Sequence, residues 1–175
     1  MTRAKARRHL WNGGSPNGLG ADTRYNEEKA MAEFYVKVGD VAKFSKTVGE
    51  YDVYGFAGIS GDFSPNHVDK EYMAKSSYGH LQAHGALMVG YMSTTSTMII
   101  AHAREQQDET PVSLGYDRIR FLKPVFIGDT ITVTYTISAI DVERRRSTGD
   151  IKITNQNGEL VTVGTHILKW VKNDA

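Results

Sequence analysis

From Gly58 to Asp69 the chain reads Gly-Ile-Ser-Gly-Asp-Phe-Ser-Pro-Asn-His-Val-Asp, and further on comes Gln82-Ala-His84-Gly85-Ala-Leu87. Asp62 precedes His67 by five residues across a Ser64-Pro65-Asn66 turn, a spacing that can bring a carboxylate and an imidazole to one point. Pro65 restricts that turn and Gly61 lets the backbone approach closely. Such a pair can orient a water and move protons near neutral pH. The plainer alternative is a helix–helix loop in which Asp62 and Asp69 only cap helices. His84-Gly85 stands where a long apolar stretch begins. A helix start offers unpaired amides at the positive end of its dipole, so the Gly85 amide can stabilise charge developing on a carbonyl oxygen. Alternatively, Gly85 is there only for tight packing.

Other chemistries fit less well. Asp62, His67 and Asp69 could offer two carboxylates and an imidazole to a divalent ion, but no further histidine has helical ligand spacing. His80 and His84 are four apart, yet Gly79 and Gly85 flank them, and no metal is expected. Ser60 lies in Gly-Ile-Ser-Gly rather than a Gly-x-Ser-x-Gly elbow, so a serine-hydrolase triad has no support.

The elements that must position these groups can be read from spacing. Val41–Val48 reads as a short strand, and Thr47-Val-Gly-Glu50 has capping-box spacing for a helix through Val53, Tyr54 and Phe56 that ends before Gly61. Asp69 caps a second short helix through Tyr72 and Met73, stopping near Gly79. The proline-free stretch from Ala86 to Ala103 has apolar residues nearly all round, which predicts a helix buried on most sides. Its run of Ser and Thr from Ser93 to Thr97 lowers helix propensity and needs support from context. Ser113–Leu122 reads as a strand. Ile131, Val133, Tyr135 and Ile137 alternate with threonines, a half-buried strand whose phase slips at Ala139-Ile140 as a bulge requires. Asn157-Gly158 predicts a tight primed turn joining Asp150–Asn155 to Leu160–Val171. The sum is an α+β arrangement, one long buried helix embraced by an antiparallel meander.

The 175 residues, 40% hydrophobic and 23% charged, suit one globular domain rather than a disordered or collagen-like chain. With no cysteine, disulfides, thiolate metal sites and cysteine nucleophiles are excluded, in keeping with a cytoplasmic protein. No apolar run nears the roughly 18 residues of a membrane span. Residues 1–27 read as a basic, Gly-rich leader and residues 28–175 as a single domain. The leader has no apolar secretory core, and organellar targeting is a weaker alternative to a plain basic tail. Its glycines lack the strand and the Gly-Lys-Ser/Thr of a phosphate loop. The leader holds the first basic residues, so the rest is mildly acidic and a poor nucleic-acid binder. Arg144-Arg145-Arg146 reads as a solvated loop.

FAGISGDFSPNHVDKEYMAKSSYG followed by AHGALMVGYMSTTS resembles the MaoC-like dehydratases, or (R)-specific enoyl-CoA hydratases, of the hot-dog fold. The signature Gly-Asp-x-Asn-Pro-x-His-x-Asp maps onto Gly61, Asp62, Pro65, His67 and Asp69, and the downstream His-Gly-x-Leu onto His84, Gly85 and Leu87. Arg120-Phe-Leu-Lys-Pro-Val125 and Gly128-Asp-Thr130 extend the likeness, which runs from about Val38 to Val171. The resemblance implies reversible syn hydration of a trans-2-enoyl thioester, carried by CoA or an acyl carrier protein. Asp62 and His67 would activate the water and the Gly85 amide would bind the thioester oxygen, with Ser64 and His84 beside the substrate. No metal or redox cofactor is implied. Arg118, Arg120 and Lys123 could meet CoA phosphates, although strand cations also serve merely to guard an edge.

The family usually has Asn where this chain has Ser64, and an apolar residue where it has Gln82; His80 is placed to face the acyl or CoA channel. The alternatives in function are a hot-dog thioesterase, told apart by release of free thiol, and a non-catalytic acyl-thioester-binding subunit. The resemblance also implies a homodimer or a multiple of dimers, because a lone hot-dog unit leaves a sheet edge and one sheet face in need of cover.

Overall fold

The computed structural model describes Thr23, residues 34–101, Ala103 and residues 108–173. The leader expected over residues 1–27, Thr23 apart, and the domain start at Glu28 lie outside the described residues.

Strand β1 (Val41–Thr47) leads into helix α1 (Glu50–Ser60), two short helices α2 (Pro65–Val68) and α3 (Lys70–Ala74), and the long helix α4 (Gly85–Ile99). Four strands follow, β2 (Glu109–Phe121), β3 (Thr130–Asp141), β4 (Arg146–Thr154) and β5 (Leu160–Lys172). They form one antiparallel sheet in the order β1-β3-β4-β5-β2. Only β3-β4-β5 is a meander; β2 crosses to the far side of β5 and makes one edge. Alternation works as the sequence indicates. Ile131, Val133, Tyr135 and Ile137 are buried, and the intervening threonines are half-exposed. The register slips between Ile137 and Ala139, so the bulge is real.

Helix α4 packs across β1 and β3 through Met88, Tyr91, Met92, Thr95, Ser96 and Ile99, an i, i+3, i+4 stripe. Burial on most sides is not what the chain shows. Gly90, Ser93, Thr94, Thr97 and Met98 face outward, because their small or flexible side chains form the opposite face. The Ser/Thr run stays helical by folding its hydroxyls back: Thr95 Oγ1 donates to Tyr91 O (2.9 Å) and Ser96 Oγ to Ser93 O (2.8 Å). The helix ends at Ile99 rather than Ala103, as the Ala103 N–H bonds Ile100 O (3.0 Å) in a tighter turn.

Two further expectations need correction. Thr47 does not cap α1. Gly49 does, with its N–H donating to Asp52 Oδ2 (2.8 Å), while the Thr47 hydroxyl pairs with Thr130 Oγ1 across the sheet (2.7 Å). Helix α1 closes, as expected, on Gly61 in the left-handed region (φ 79°). The β4–β5 turn is not a two-residue primed turn. Gly158 alone takes positive φ, Gly158 N–H bonds Asn155 O, and Asn155 N–H bonds Glu159 O. That is a three-residue loop with glycine at the bulge position.

Two polar clusters sit in the sheet. His166, fully buried, lies between Ser113 Oγ (2.8 Å from Nε2) and the Tyr135 hydroxyl (3.0 Å from Nδ1), with Tyr116 stacked on it at 4.4 Å. Arg145, read from sequence as a solvated loop cation, instead pairs with Glu109 and lies 4.6 Å over the Phe34 ring. Arg144 and Arg146 are exposed.

Candidate active site

The loop from Gly61 to Ser64 carries Asp62 at the surface. Its carboxylate accepts the Ser64 N–H (3.2 Å), and its own N–H donates to Ser60 Oγ (3.2 Å). Pro65 opens α2, which puts His67 on the inward side, buried. The segment Gln82–Ala83 is strapped from both sides: Gln82 N–H bonds Asn66 O (2.9 Å) and Ala83 N–H bonds Val125 O (2.7 Å). That strap presents Gln82 O to His67 Nδ1 at 2.7 Å. A carbonyl only accepts, so the proton is on Nδ1 and the Nε2 lone pair is left to face the Asn66 carboxamide N–H at 3.2 Å.

His84, the residue before α4, is buried too, and its Nε2–H donates to Asp62 O (2.9 Å). Its ring stacks on His67 at 3.7 Å between centroids and 24° between planes, with Phe56 on its other side at 4.9 Å. His84 Nδ1 is buried with no hydrogen-bond partner. Asp62, His67 and His84 can each offer an atom within 4.8 Å of the others. An ion shared by all three would have to lie in the planes of two stacked rings, which requires one ring to turn. Asp69 takes no part, since its carboxylate caps α3 by accepting the Tyr72 N–H (2.9 Å).

A pocket of ≈ 400 Å³ opens beside this cluster, lined by Asn66, His67, Gln82, Gly85, Phe121 and Lys123 among others. Gly85 is the first residue of α4, so its N–H has no partner within the helix. The Phe121 ring lies so close that a β-carbon on Gly85 would be 2.7 Å from it. Close packing thus applies to Gly85, and its N–H stands at the helix start without an intrahelical partner. Of the expected site residues, His67, Gly85 and Lys123 line the pocket; Asp62 and His84 each bring an atom within 4.8 Å of His67, and Ser64 contributes a backbone N–H to Asp62. Lys123 is paired with Glu159 at 2.5 Å. Arg118, with φ 53°, and Arg120, bonded to Ile119 O, sit at an irregularity of the β2 edge away from that lining. His80 meets Phe126 and a separate pocket of ≈ 250 Å³ beside Glu50 and Lys70.

Asn66, Phe121 and the backbone carbonyl of Gln82 have no separate signal in the sequence. Asn66 sits inside the motif, but spacing does not say where its side chain turns, and Phe121 arrives from a distant strand.

The sequence model of the MaoC-like domain family matches residues 33–159, which hold every one of these site groups. The chain belongs to the MaoC-like domain family. It has the hot-dog fold and is an enzyme of the hydro-lyase class. The (R)-specific enoyl-CoA hydratase of Rhodospirillum rubrum is 32% identical over 111 residues, which span 63% of this chain and 72% of that protein. The enzyme of the same name from Aeromonas caviae is 28% identical over 139 residues, 79% of this chain and 98% of the relative. The solved structure of the Aeromonas caviae (R)-hydratase superposes with a TM-score of 0.67 at 29% identity, covering 77% of this chain and 96% of that one. In this MaoC-like chain no helix among the described residues is long and apolar enough to cross a membrane.

Proposed function

We propose that this MaoC-like chain is an (R)-specific enoyl-CoA hydratase, or run in reverse a 3-hydroxyacyl-thioester dehydratase. The observation that carries the reading is the fixed tautomer of His67. With Nδ1–H committed to Gln82 O, its Nε2 is a base beside the pocket that also contains the start of α4. Water donates a proton to the Asp62–His67 pair as its oxygen bonds the β-carbon of a trans-2-enoyl thioester. The electrons of the double bond pass into the thioester, and the Gly85 N–H meets the charge on its oxygen. The same pair returns the proton to the α-carbon on the same face, giving the (R)-3-hydroxyacyl thioester. No step needs a metal or redox cofactor. Lys123 exchanges Glu159 for a phosphate of the thioester carrier.

Incubation with crotonyl-CoA and longer enoyl-CoAs tests this: the enoyl absorbance should fall with formation of the (R)-product and no free thiol. Thiol release without hydration would replace the reading with a thioesterase, and binding without turnover would make the chain a binding subunit. The edge strand β2, with Val112 and Leu114 exposed, is the surface that a second copy covers. Light scattering should therefore give twice 19.4 kDa or a multiple of it, and a 19.4 kDa species alone would refute the dimer.

A further inference from the structure

Three contacts immobilise the His67 ring, and one of them must yield for the ring to act as a base. Gln82 O holds Nδ1 and the His84 ring covers a face; neither obstructs the lone pair. Asn66 does, since its carboxamide Nδ2 is 3.2 Å from His67 Nε2. A ring nitrogen has one lone pair, so Asn66 and a reacting water compete for it. The backbone of Asn66 is itself fixed, because its carbonyl accepts the Gln82 N–H (2.9 Å), and the residue lines the ≈ 400 Å³ pocket. Ser64 supplies no comparable group: it precedes α2 without a side-chain cap bond, and what it gives Asp62 is a backbone N–H.

We propose that Asn66 is a third catalytic residue, whose carboxamide holds His67 Nε2 in the free enzyme and holds the nucleophilic water once that water inserts between the two side chains. The inference rests on the hydratase reading and adds to it a residue outside the Asp62–His67 pair. The inserted water donates one hydrogen to His67 Nε2 and the other to the Asp62 carboxylate. Its oxygen accepts the Asn66 Nδ2–H, which leaves a single lone pair aimed at the β-carbon. Two acceptors alone would leave the water oxygen free to swing about the line that joins them; the donor removes that freedom.

The test compares wild type with Asn66→Ala and Asn66→Leu, their folds checked by circular dichroism. In both variants kcat for crotonyl-CoA hydration should fall about 10- to 100-fold, with KM changed by no more than about threefold because the water, not the thioester, loses its holder. In protein labelled with 15N at histidine, the His67 Nε2 resonance of the free enzyme should move to that of an unbonded lone pair in both variants, while Nδ1 stays. A kcat within about twofold of wild type overturns the catalytic role. A fall in kcat with an unmoved Nε2 resonance overturns it too, since Asn66 would then act elsewhere. If wild type hydrates no enoyl-CoA, the hydratase reading fails and Asn66's role on the water goes with it, while the resonance still reports whether Asn66 holds the histidine.

Discussion

Asp62 and His67 are held in opposite ways, and their substitution should show it. His67 is buried and bonded at both nitrogens, whereas Asp62 is exposed and anchored through its backbone carbonyl to His84. Asp62→Asn should therefore leave the fold intact and lower kcat by about 10²–10⁴-fold, the usual worth of a positioned acid–base group; near-normal turnover would remove Asp62 from the reaction. The motif made this pair legible, because the Ser64-Pro65-Asn66 turn leaves few ways to place two side chains five residues apart. The role of His84 was less legible. A histidine before a glycine says nothing of which carbonyl it will bond, and the Asp62 carbonyl is 22 residues away in sequence. His84 Nδ1 is buried without a partner in the protein, and a buried acceptor left unmatched costs about 1–3 kcal/mol.

Helix α4 brings Gly85 to the pocket, and strand β2 brings Phe121. The two meet at Gly85 and Phe121, where a methyl group has no room. Gly85→Ala should push the half-exposed Phe121 ring aside and cut activity, and adding Phe121→Ala should recover part of the loss. A double variant no better than the product of the singles would show that the ring is not what excludes the methyl group. Element types were legible because their periods differ: the threonine alternation of β3 and the apolar run of α4 leave little choice. Boundaries and faces were not. The Ala86–Ala103 stretch reads as apolar all round, yet sheet contacts, not composition, decide which stripe is buried. Thr47 likewise satisfies capping-box spacing, but the sheet claims its hydroxyl first.

At the scale of the whole molecule the sheet carries its own acid sensitivity, apart from the site. Burial pulls the His166 imidazole down from 6.5 to about 4. Between those values the unfolded chain takes up a proton that the native chain refuses, so stability falls as pH drops through this window and levels off below it. The full span is on the order of 3 kcal/mol. Thermal melts from pH 7.5 to 4.5 should show that decline, and His166→Asn should flatten it; an equal slope in both proteins would exclude His166. Glu109 acts in a lower window. Its hydrogen bond to Arg145 holds the carboxyl below the usual range, so its contribution is complete above that range and fades as pH falls through the lowered value. None of this was legible beforehand, because His166 is an ordinary strand residue until three other strands close around it. The strap through Gln82 and Ala83 has a consequence of another kind. It ties His67 to the β2–β3 connection through the Ala83–Val125 bond and the Gln82–Phe126 bridge, whereas the five strands are laced to one another along their lengths. The layer that holds the candidate site can therefore come loose while the sheet persists, so in rising denaturant inactivation should run ahead of melting, and a protein that still looks folded by its strands can already be a dead enzyme.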